Sequence, residues 1–437
     1  MKRLSLTTWS LLALAAGLGL GILGHAKDSP IFADLGNIAK ALGGLWVAAL
    51  QLTVIPLVIT HLLAAVSGAG AKAVGKLGVR AFVLFFLMLV ASGLFTVLLA
   101  PPLIARFSVD PATIESLKTA AALPVATATP TASADGGSSS PTDWIANLLP
   151  TNLLEAGVRG DIFPLLLFTV VFALAVTCLP EAQQLLLAQV FQGLADAMLQ
   201  VTRWVLVATP VGVFALTYVL AFKTGSSTGG MLGAYVVIVS TIMLLFTVLL
   251  YPLSAIAGRT RIRTFTRAVA PAQLVAASTR SSIAALPALV EGGRDHLRLP
   301  KTGTSFVLPL SVSLFKVNRP ISSIVKLMLV AHIYGIPLRL GTIALFLGTV
   351  IIISFGTAGI PQSGPGLKTL PAYLAAGVPI EGVIVIEAVE SIPDIFKTLL
   401  NVTGDMSAAT LLSRSDRSLQ GKLSAAETPS AATESAT

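Results

Sequence analysis

Charged residues are scarce in this chain of 437 residues, since Asp, Glu, Lys and Arg together make up only 11% of it. Soluble domains carry about 25% charged residues, because their surfaces must be hydrated. Hydrophobic residues make up 54% of the chain instead. This composition excludes an ordinary soluble protein and predicts a protein embedded in a lipid bilayer.

Residues that bind metals or form disulfides are also few. The one cysteine, Cys178, lies in an apolar run and excludes an intrachain disulfide, and the four histidines are scattered without the spacing of metal ligands. The sequence contains no nucleophile–base pair and no nucleotide-binding loop. An enzyme and a cofactor are therefore not expected.

The net charge of +9 does not indicate a nucleic-acid partner, because the basic residues lie in short loops between apolar segments. Cytoplasmic loops of membrane proteins are enriched in Lys and Arg. If the basic residues near 72–80, 259–267 and 294–301 are cytoplasmic, both termini are cytoplasmic too, as expected for a multi-pass protein of a bacterial inner membrane. The first 26 residues also resemble a secretory signal, but its removal would break this charge pattern, so an uncleaved first helix is the preferred interpretation.

Apolar stretches of about 20 residues, the length that crosses a bilayer, recur along the chain. They lie near residues 7–26, 41–68, 81–105, 161–180, 201–222, 231–257 and 379–400, and two further stretches, near 265–290 and 341–376, are interrupted by Ser, Gly and Pro. The sequence therefore predicts an all-α polytopic membrane protein.

Two polar interruptions divide apolar segments into arms that are too short to cross the bilayer. One is Ser278-Thr279-Arg280-Ser281-Ser282 and the other is the Gly-rich run 356–364. Each unit is predicted to be a helix–turn–helix that enters the membrane and returns. Irregular backbone at membrane depth is tolerated where it is buried in protein or lines a cavity, and paired interruptions of this kind indicate the binding site of a transporter. A kinked ordinary helix is the alternative for each segment.

The last apolar segment, predicted as one helix over about 379–413, carries an unusual set of polar residues. At about 100° per residue they fall in a stripe roughly 100° wide: Glu390, Asp394, Lys397, Thr398, Asn401 and Asp405. Charges in a membrane helix are costly, so the stripe should face a binding site. The alternative is a self-paired cluster in which Asp394 and Lys397 form an i,i+3 ion pair.

The segment 306–338 is broken at Lys316-Val317-Asn318-Arg319-Pro320, between apolar halves. Proline does not continue a helix unbroken. Lys326 lies within the second apolar half. The two cations of the break, Lys316 and Arg319, need anions at this depth. Asp405, Asp394 and a bound anion are the candidates.

Several separated motifs resemble those of one transporter family. In chain order they are Thr279-Arg280-Ser281-Ser282 before Leu286-Pro287, Val307-Leu308-Pro309-Leu310, Gly356-Thr357-Ala358-Gly359-Ile360-Pro361 with Gly364, and the segment from Asp394 to Asp405. Together they resemble the dicarboxylate/amino acid:cation symporters, the glutamate transporter family. The resemblance implies eight transmembrane helices plus two re-entrant helical hairpins, a homotrimer, and a transport part that slides like an elevator.

With this resemblance the chain divides into five parts. They are helices 1–3 (1–106), a disordered external loop (107–143), helices 4–6 (144–264), a transport core of hairpin 1, broken helix 7, hairpin 2 and helix 8 (265–413), and a disordered cytoplasmic tail (414–437).

The resemblance also implies which residues bind a small anionic substrate. Asp394 would hold a substrate amino group, and Lys397 would pair with a side-chain carboxylate in the place of the family's arginine. Lysine keeps the charge of arginine but loses its bidentate geometry. The predicted substrate-binding residues are Arg280, Ser281, Ser282, Arg319, Ile360, Gly364, Asp394, Lys397, Thr398 and Asn401.

Two segments depart from the family where its pattern supplies sodium ligands. The family's seventh helix carries N-M-D-G-T, and this chain has Phe315-Lys316-Val317-Asn318-Arg319 in its place. The family's third helix adds hydroxyl ligands, and the matching positions here are Leu84 or Phe85, Met88 and Leu89. Hard cations need oxygen ligands, so both halves of one sodium site are replaced together.

Two hypotheses on the coupling ion follow from these replacements. In the first, Lys316, Arg319 or both are tethered cations that replace sodium as counterions to Asp405 or to the substrate, and transport is independent of sodium. In the second, Asp405 and Asn401, with an oxygen from Ser313, hold a single sodium ion. The coupling ion, H⁺ or Na⁺, stays open at this point.

The leading prediction is a secondary active transporter of an acidic amino acid such as aspartate or glutamate. Asp394 favours a substrate with an amino group, and Lys397 with Arg319 favours one with more than one negative group. The alternatives are a carrier of C4-dicarboxylates or neutral amino acids and, from another class, a non-transporting membrane sensor or an anion channel.

Overall fold

A computed structural model describes residues 6–27, 29–68, 76–106, 162–225, 227–301, 303–356 and 369–426. All regular elements in these ranges are helices, as predicted. They are α1 (Leu6–Lys27), α2 (Pro30–Gly68), α3 (Lys76–Ile104), α4 (Ile162–Val176), α5 (Glu181–Val207), α6 (Thr209–Thr224), α7 (Ser227–Ala257), α8 (Ile262–Thr279), α9 (Ser282–Asp295), a π-helical turn (Gly303–Val307), α10 (Leu308–Leu314), α11 (Asn318–Ile333), α12 (Leu340–Gly356), α13 (Leu370–Ala375), α14 (Ile380–Ala388) and α15 (Asp394–Ala426).

Within these ranges, five helices are long and apolar enough to cross a membrane. They are Thr8–Lys27, Pro30–Leu50, Gly78–Ile104, Glu181–Val207 and Thr228–Ala257, with shorter apolar helices at Pro164–Val176, Thr209–Thr224 and Leu340–Phe355. The prediction of a multi-pass helical membrane protein is confirmed. The predicted external loop, 107–143, lies outside the described residues, whereas α15 continues to Ala426, into the segment predicted as a disordered tail.

One predicted apolar window was wrong in its bounds, and one helix was not predicted. The apolar window 201–222 is divided between α5 and α6 at Ala208, because Pro210 favours the first turn of a new helix. The helix α5 was not among the predicted spans, because its glutamines and charged residues lower the hydropathy of an otherwise apolar segment.

The chain forms two compact units, and the first comprises Met1–Ala73, Leu89–Met243 and Asn318–Asp394. In this unit α1 packs closely along α6. A Cβ added at Gly17 would lie 2.7 Å from the carbonyl oxygen of Phe214, and one at Gly21 would lie 2.8 Å from that of Tyr218. Small residues four positions apart let two membrane helices approach at backbone distance.

The second unit comprises Val74–Met88, Leu244–Val317 and Ile395–Thr437. Its helices are joined by buried polar side chains. Gln273 of α8 donates to the hydroxyl of Thr403 on α15 at 2.7 Å, and Ser254 of α7 donates to that of Ser407 at 2.8 Å. Polar side chains often join helices in this way where no water is present to pair them.

Candidate functional site

The first predicted hairpin is a helix–turn–helix. Helices α8 and α9 pack along each other, and a Cβ added at Gly292 would lie 2.0 Å from the carbonyl oxygen of Ala268. Arg280 ends α8 with a left-handed backbone conformation at φ 54°, which reverses the chain. Ser281 then caps α9, because its Oγ accepts the backbone N–H of Ala284 at 3.2 Å. The prediction of a helical hairpin at this position is confirmed.

Lys316 lies in the break between α10 and α11, as the sequence predicted, and its ammonium points to the hairpin tip. Its Nζ donates to Ser282 Oγ at 3.1 Å and to the backbone carbonyl oxygen of Val312 at 2.6 Å. Val312 belongs to the last turn of α10, where carbonyls lack helical partners and carry partial negative charge. A covalently attached cation therefore lies at the negative end of α10.

Asp405 is fully buried on α15, in the same unit as Lys316. Neither of its carboxylate oxygens has a hydrogen-bond partner among the described residues. The charge of Lys316 acts on this carboxylate, and the hydroxyl of Ser311 lies beside it, although it donates to the carbonyl oxygen of Leu308 at 3.0 Å. A buried carboxylate is costly unless a positive charge compensates it, so Lys316 and Asp405 form one electrostatic unit.

An aromatic pair fills the region where the family resemblance implies a second set of sodium ligands. Phe85 of α3 stacks on Phe315, with ring centroids 4.8 Å apart and planes 12° from parallel, and both rings are fully buried. Phe315 and Val317 also lie against Gly404, where an added Cβ would be 3.2 Å and 3.0 Å from their side chains. Stacked rings offer no oxygen to a hard cation. This packing agrees with the loss that the sequence indicated.

Helix α15 begins at Asp394 and carries Lys397, Thr398 and Asn401 over its next two turns. The side chains of Thr398 and Asn401 are buried, and those of Asp394 and Lys397 are partly buried. Their spacing places all four on one side of the helix.

Glu390 does not belong to this stripe, contrary to the prediction. The predicted single helix over 379–413 is two helices, α14 and α15, because turns at 389–393 separate them. Pro393 precedes Asp394, and a residue before proline is biased away from helical conformation. The angular position assigned to Glu390 assumed an unbroken helix and was therefore wrong.

Glu390 belongs instead to a buried ion cluster in the first unit, which we call the glutamate–lysine cluster. It comprises Lys326 on α11, Glu387 on α14, Glu390 in the following turn and Tyr235 on α7. Lys326 Nζ donates to Glu387 and lies 3.4 Å from Glu390 Oε2, and the Tyr235 hydroxyl donates to that same oxygen. These two glutamates compensate the charge of Lys326.

The other predicted site residues are placed as follows. Arg319 lies in the first turn of α11 and is partly buried. Ser313 is exposed, and its hydroxyl donates to the carbonyl oxygen of Pro309 at 2.8 Å. The serine beside Asp405 is Ser311, which the sequence analysis did not select although it lies only two positions away. The second hairpin tip, with Ile360 and Gly364, lies outside the described residues.

Within the described ranges, no group of three or more His, Cys, Asp or Glu side chains is arranged to hold a metal ion. The second unit instead brings together the first hairpin tip, the ammonium of Lys316 and the buried carboxylate of Asp405. This chain combines apolar helices of spanning length, broken helices and buried charges. That combination is typical of a secondary transporter.

Comparison with known proteins identifies the family. The model of the sodium:dicarboxylate symporter family matches residues 6–415. The chain therefore belongs to the sodium:dicarboxylate symporter family, which confirms the resemblance inferred from the motifs.

Relatives match along nearly their whole lengths. The chain is 29% identical over 418 residues to the proton/sodium-glutamate symport protein of Bacillus subtilis (strain 168), covering 95% of this chain and 94% of that protein. It is 27% identical over 417 residues to the proton/glutamate-aspartate symporter of Escherichia coli (strain K12), covering 94% and 93%. It is 26% identical over 420 residues to the C4-dicarboxylate transport protein of Anaeromyxobacter sp. (strain K), covering 95% and 91%.

Proposed function

We propose that this protein carries an acidic amino acid, aspartate or glutamate, across the membrane without a requirement for sodium. The relatives named above as glutamate and glutamate-aspartate symporters support the substrate class. The single observation that carries the proposal on sodium is the position of the Lys316 ammonium, bonded to the end of α10 and to the hairpin tip.

Substrate binding is proposed for the residues that the family motifs imply. Asp394 accepts the substrate ammonium, Lys397 and Arg319 pair with carboxylates, and the hydroxyl of Thr398 and the amide of Asn401 complete the polar groups. The turn residues Arg280, Ser281 and Ser282 of the first tip, and Ile360 and Gly364 of the second, contribute backbone and side-chain donors.

Lys316 takes the role of a bound cation in this proposal. A carbonyl at the end of α10 and the buried carboxylate of Asp405 form surroundings that favour a positive charge. Lys316 supplies that charge as a residue of the chain itself. The rings of Phe85 and Phe315 lie where the family pattern has oxygen ligands for sodium. Sodium is therefore not needed to compensate Asp405.

The architecture proposed with this function is that of the family resemblance. It has eight transmembrane helices plus two re-entrant hairpins, both termini in the cytoplasm of a bacterial cell, and a homotrimer with an elevator motion. The basic loop residues, such as those at 259–267, support the orientation. Labelling of single cysteines introduced near each terminus tests the proposed topology. The mass of the protein in nanodiscs tests the proposed trimer.

Uptake of labelled L-aspartate into liposomes that hold the purified protein tests the proposal. Saturable uptake should be equal when choline replaces sodium, and Lys316→Met should reduce it strongly. Lys301→Met is the matched control, because Lys301 is an exposed lysine of the same unit. Uptake that requires sodium would contradict the tethered-cation role of Lys316. Binding without uptake would identify a sensor, and current without saturation would identify a channel.

A carrier of C4-dicarboxylates is the second candidate, since one relative has that name. The two differ in the amino group that Asp394 is proposed to hold. If unlabelled succinate inhibits the uptake of labelled L-aspartate as strongly as unlabelled L-glutamate does, the result would favour a dicarboxylate carrier. In that case Asp394→Asn would leave succinate uptake unchanged, whereas an amino acid carrier would lose aspartate uptake.

A further inference from the structure

Gln273 of α8 has no part in the substrate-binding and cation roles proposed above, but its side-chain amide joins three helices. The Tyr251 hydroxyl of α7 donates to its Oε1 at 3.1 Å, and its Nε2 donates to the Thr403 hydroxyl of α15 at 2.7 Å. The Thr403 hydroxyl donates in turn to the carbonyl oxygen of Leu399 at 2.7 Å. All of these residues lie in the second unit.

Helices α7 and α15 run side by side in the same direction. Ser254 donates to the hydroxyl of Ser407 at 2.8 Å. One turn further along both helices, a Cβ added at Gly258 would lie 2.7 Å from the methyl group of Thr410. Successive residues of α7 therefore contact successive residues of α15.

Helix α8 runs back along α7 after the turn at 258–261. Gln273 lies about 16 Å into α8, at about 1.5 Å per residue, and still bonds to Tyr251. The ring of Tyr251 also packs edge-to-face on Phe265 near the start of α8, with centroids 5.4 Å apart. Since α7 and α15 are parallel, α8 is antiparallel to α15.

This arrangement gives the level of the first hairpin tip along α15. Thr279, the last residue of α8, lies about 9 Å beyond Gln273 at the same rise per residue. An equal step of about 9 Å from Thr403 towards the start of α15 reaches Lys397. Because the two helices are antiparallel, the tip is level with Lys397 and Thr398, two of the proposed substrate residues.

The hydrogen bonds of Gln273 resist a shift of α8 along α15. Helices that meet through apolar side chains alone have little to hold their register, because lipid is equally apolar. A shift here would leave a half-buried amide unpaired, which is costly. The two arms of the hairpin move together, since Gly292 lies against the Ala268 carbonyl oxygen. The amide of Gln273 therefore sets the level of the tip.

We propose that Gln273 positions the tip of the first hairpin for substrate binding, through its hydrogen bonds to Tyr251 and Thr403. This inference rests on the proposed function, because Lys397 and Thr398 are substrate residues of that proposal. Gln273 does not touch the substrate. It sets the separation between the polar groups of the tip and the charge of Lys397. L-Aspartate and L-glutamate differ by one methylene between their carboxylates, so this separation also influences the preference between them.

Gln273→Leu and Thr403→Val test the proposal, because each removes the bond between α8 and α15 and nearly keeps the side-chain volume. Equilibrium dialysis of the purified protein measures the Kd of labelled L-aspartate and L-glutamate, and liposomes measure the maximal exchange rate. Each variant should bind L-aspartate at least about fivefold more weakly, the equivalent of a hydrogen bond of about 1 kcal/mol. The ratio of the two Kd values should shift at least about threefold, and the maximal rate should stay within about twofold.

Two control variants separate positioning from general packing. Thr266→Val removes an exposed hydroxyl of α8 that donates to the carbonyl oxygen of Ile262 in the same helix, and it should leave both Kd values unchanged. Thr403→Ser keeps the hydroxyl that accepts from Gln273 and should bind as the wild type does. A purely structural role would lower the unfolding temperature of Gln273→Leu and leave the ratio of the two Kd values unchanged, which would overturn the inference.

A double variant tests whether the two residues act through one bond. Gln273→Leu combined with Thr403→Val should bind L-aspartate no more weakly than either single variant, because all three lack the same bond. Multiplied losses would refute the inference.

The remaining outcomes separate this inference from the proposed function. Absence of L-aspartate binding in the wild type would contradict the proposed function, whereas wild-type binding that is unchanged in both single variants would overturn the inference alone. If those variants fail to fold, Tyr251→Phe is decisive, because it removes one hydroxyl and keeps the ring against Phe265. It should weaken L-aspartate binding at least about twofold, and an unchanged Kd would refute the inference.

Discussion

Replacement of Lys316 by methionine is the most informative perturbation of the tethered cation. Methionine keeps the length of the side chain and removes the charge and both hydrogen bonds, to Ser282 Oγ and to the carbonyl oxygen of Val312. It also leaves the fully buried carboxylate of Asp405 without the positive charge that acts on it. The variant therefore isolates the charge rather than the volume of the side chain.

The magnitude follows from two losses. A hydrogen bond that involves a charged group contributes about 1.5–3 kcal/mol, and removal of one partner of a buried charge pair costs about 3–5 kcal/mol. Proton uptake by the isolated Asp405 limits the second cost, because a buried acid neutralises rather than staying charged. A net loss of about 2–4 kcal/mol in the free energy of unfolding is expected, and a similar increase in the transport barrier would slow uptake about 30- to 900-fold.

The assay compares wild type, Lys316→Met and Lys301→Met in choline and in sodium. Sodium should raise the unfolding temperature and the uptake of Lys316→Met alone, because Asp405 and the Val312 carbonyl then offer oxygen ligands to a free ion. The double variant with Asp405→Asn should regain part of the lost stability, because it removes the uncompensated charge. A Lys316→Met protein with wild-type uptake in choline and no response to sodium would refute the reasoning.

Two further predictions concern packing in the second unit. Phe85→Ala should lower the free energy of unfolding by about 3–5 kcal/mol in thermal melts, because it empties a stacked, fully buried position, whereas Phe86→Ala, at a side chain that is 48% exposed, should cost far less. Equal effects would contradict the packing role of the stack. Gly292→Ala should cost about 1–3 kcal/mol and reduce uptake, because its Cβ would meet the Ala268 carbonyl at 2.0 Å and force the hairpin arms apart. Gly341→Ala, where nothing lies within 4 Å, is its control, and the same loss there would show that the hairpin contact is not the cause.

Local features of the candidate site could be predicted from the sequence. The turn at Ser278–Ser282 and the break at Lys316–Pro320 both arise from short-range rules, since polar residues and proline interrupt helices wherever they occur. The structure places helix ends at Thr279 and Leu314, in agreement with those signals. Pro393 likewise indicated the break at 389–393. It was overlooked because apolar residues on both sides favoured one continuous helix.

The glutamate–lysine cluster could not be predicted in the same way. Lys326 and Glu387 are 61 positions apart, and Tyr235 and Glu390 are 155 positions apart. Helical spacing says which residues share a face of one helix, but not which helices pack together. The sequence places Lys326 in an apolar segment, and only the packing of α11, α14 and α7 identifies its anionic partners.

Lys316 constrains how transport can be driven. A bound sodium ion is released on the far side and thereby contributes its gradient, whereas a lysine ammonium stays with the protein throughout the cycle. Lys316 can therefore compensate Asp405 and position the hairpin tip, but it cannot supply driving force. Net uptake against a gradient then requires another ion that binds and leaves.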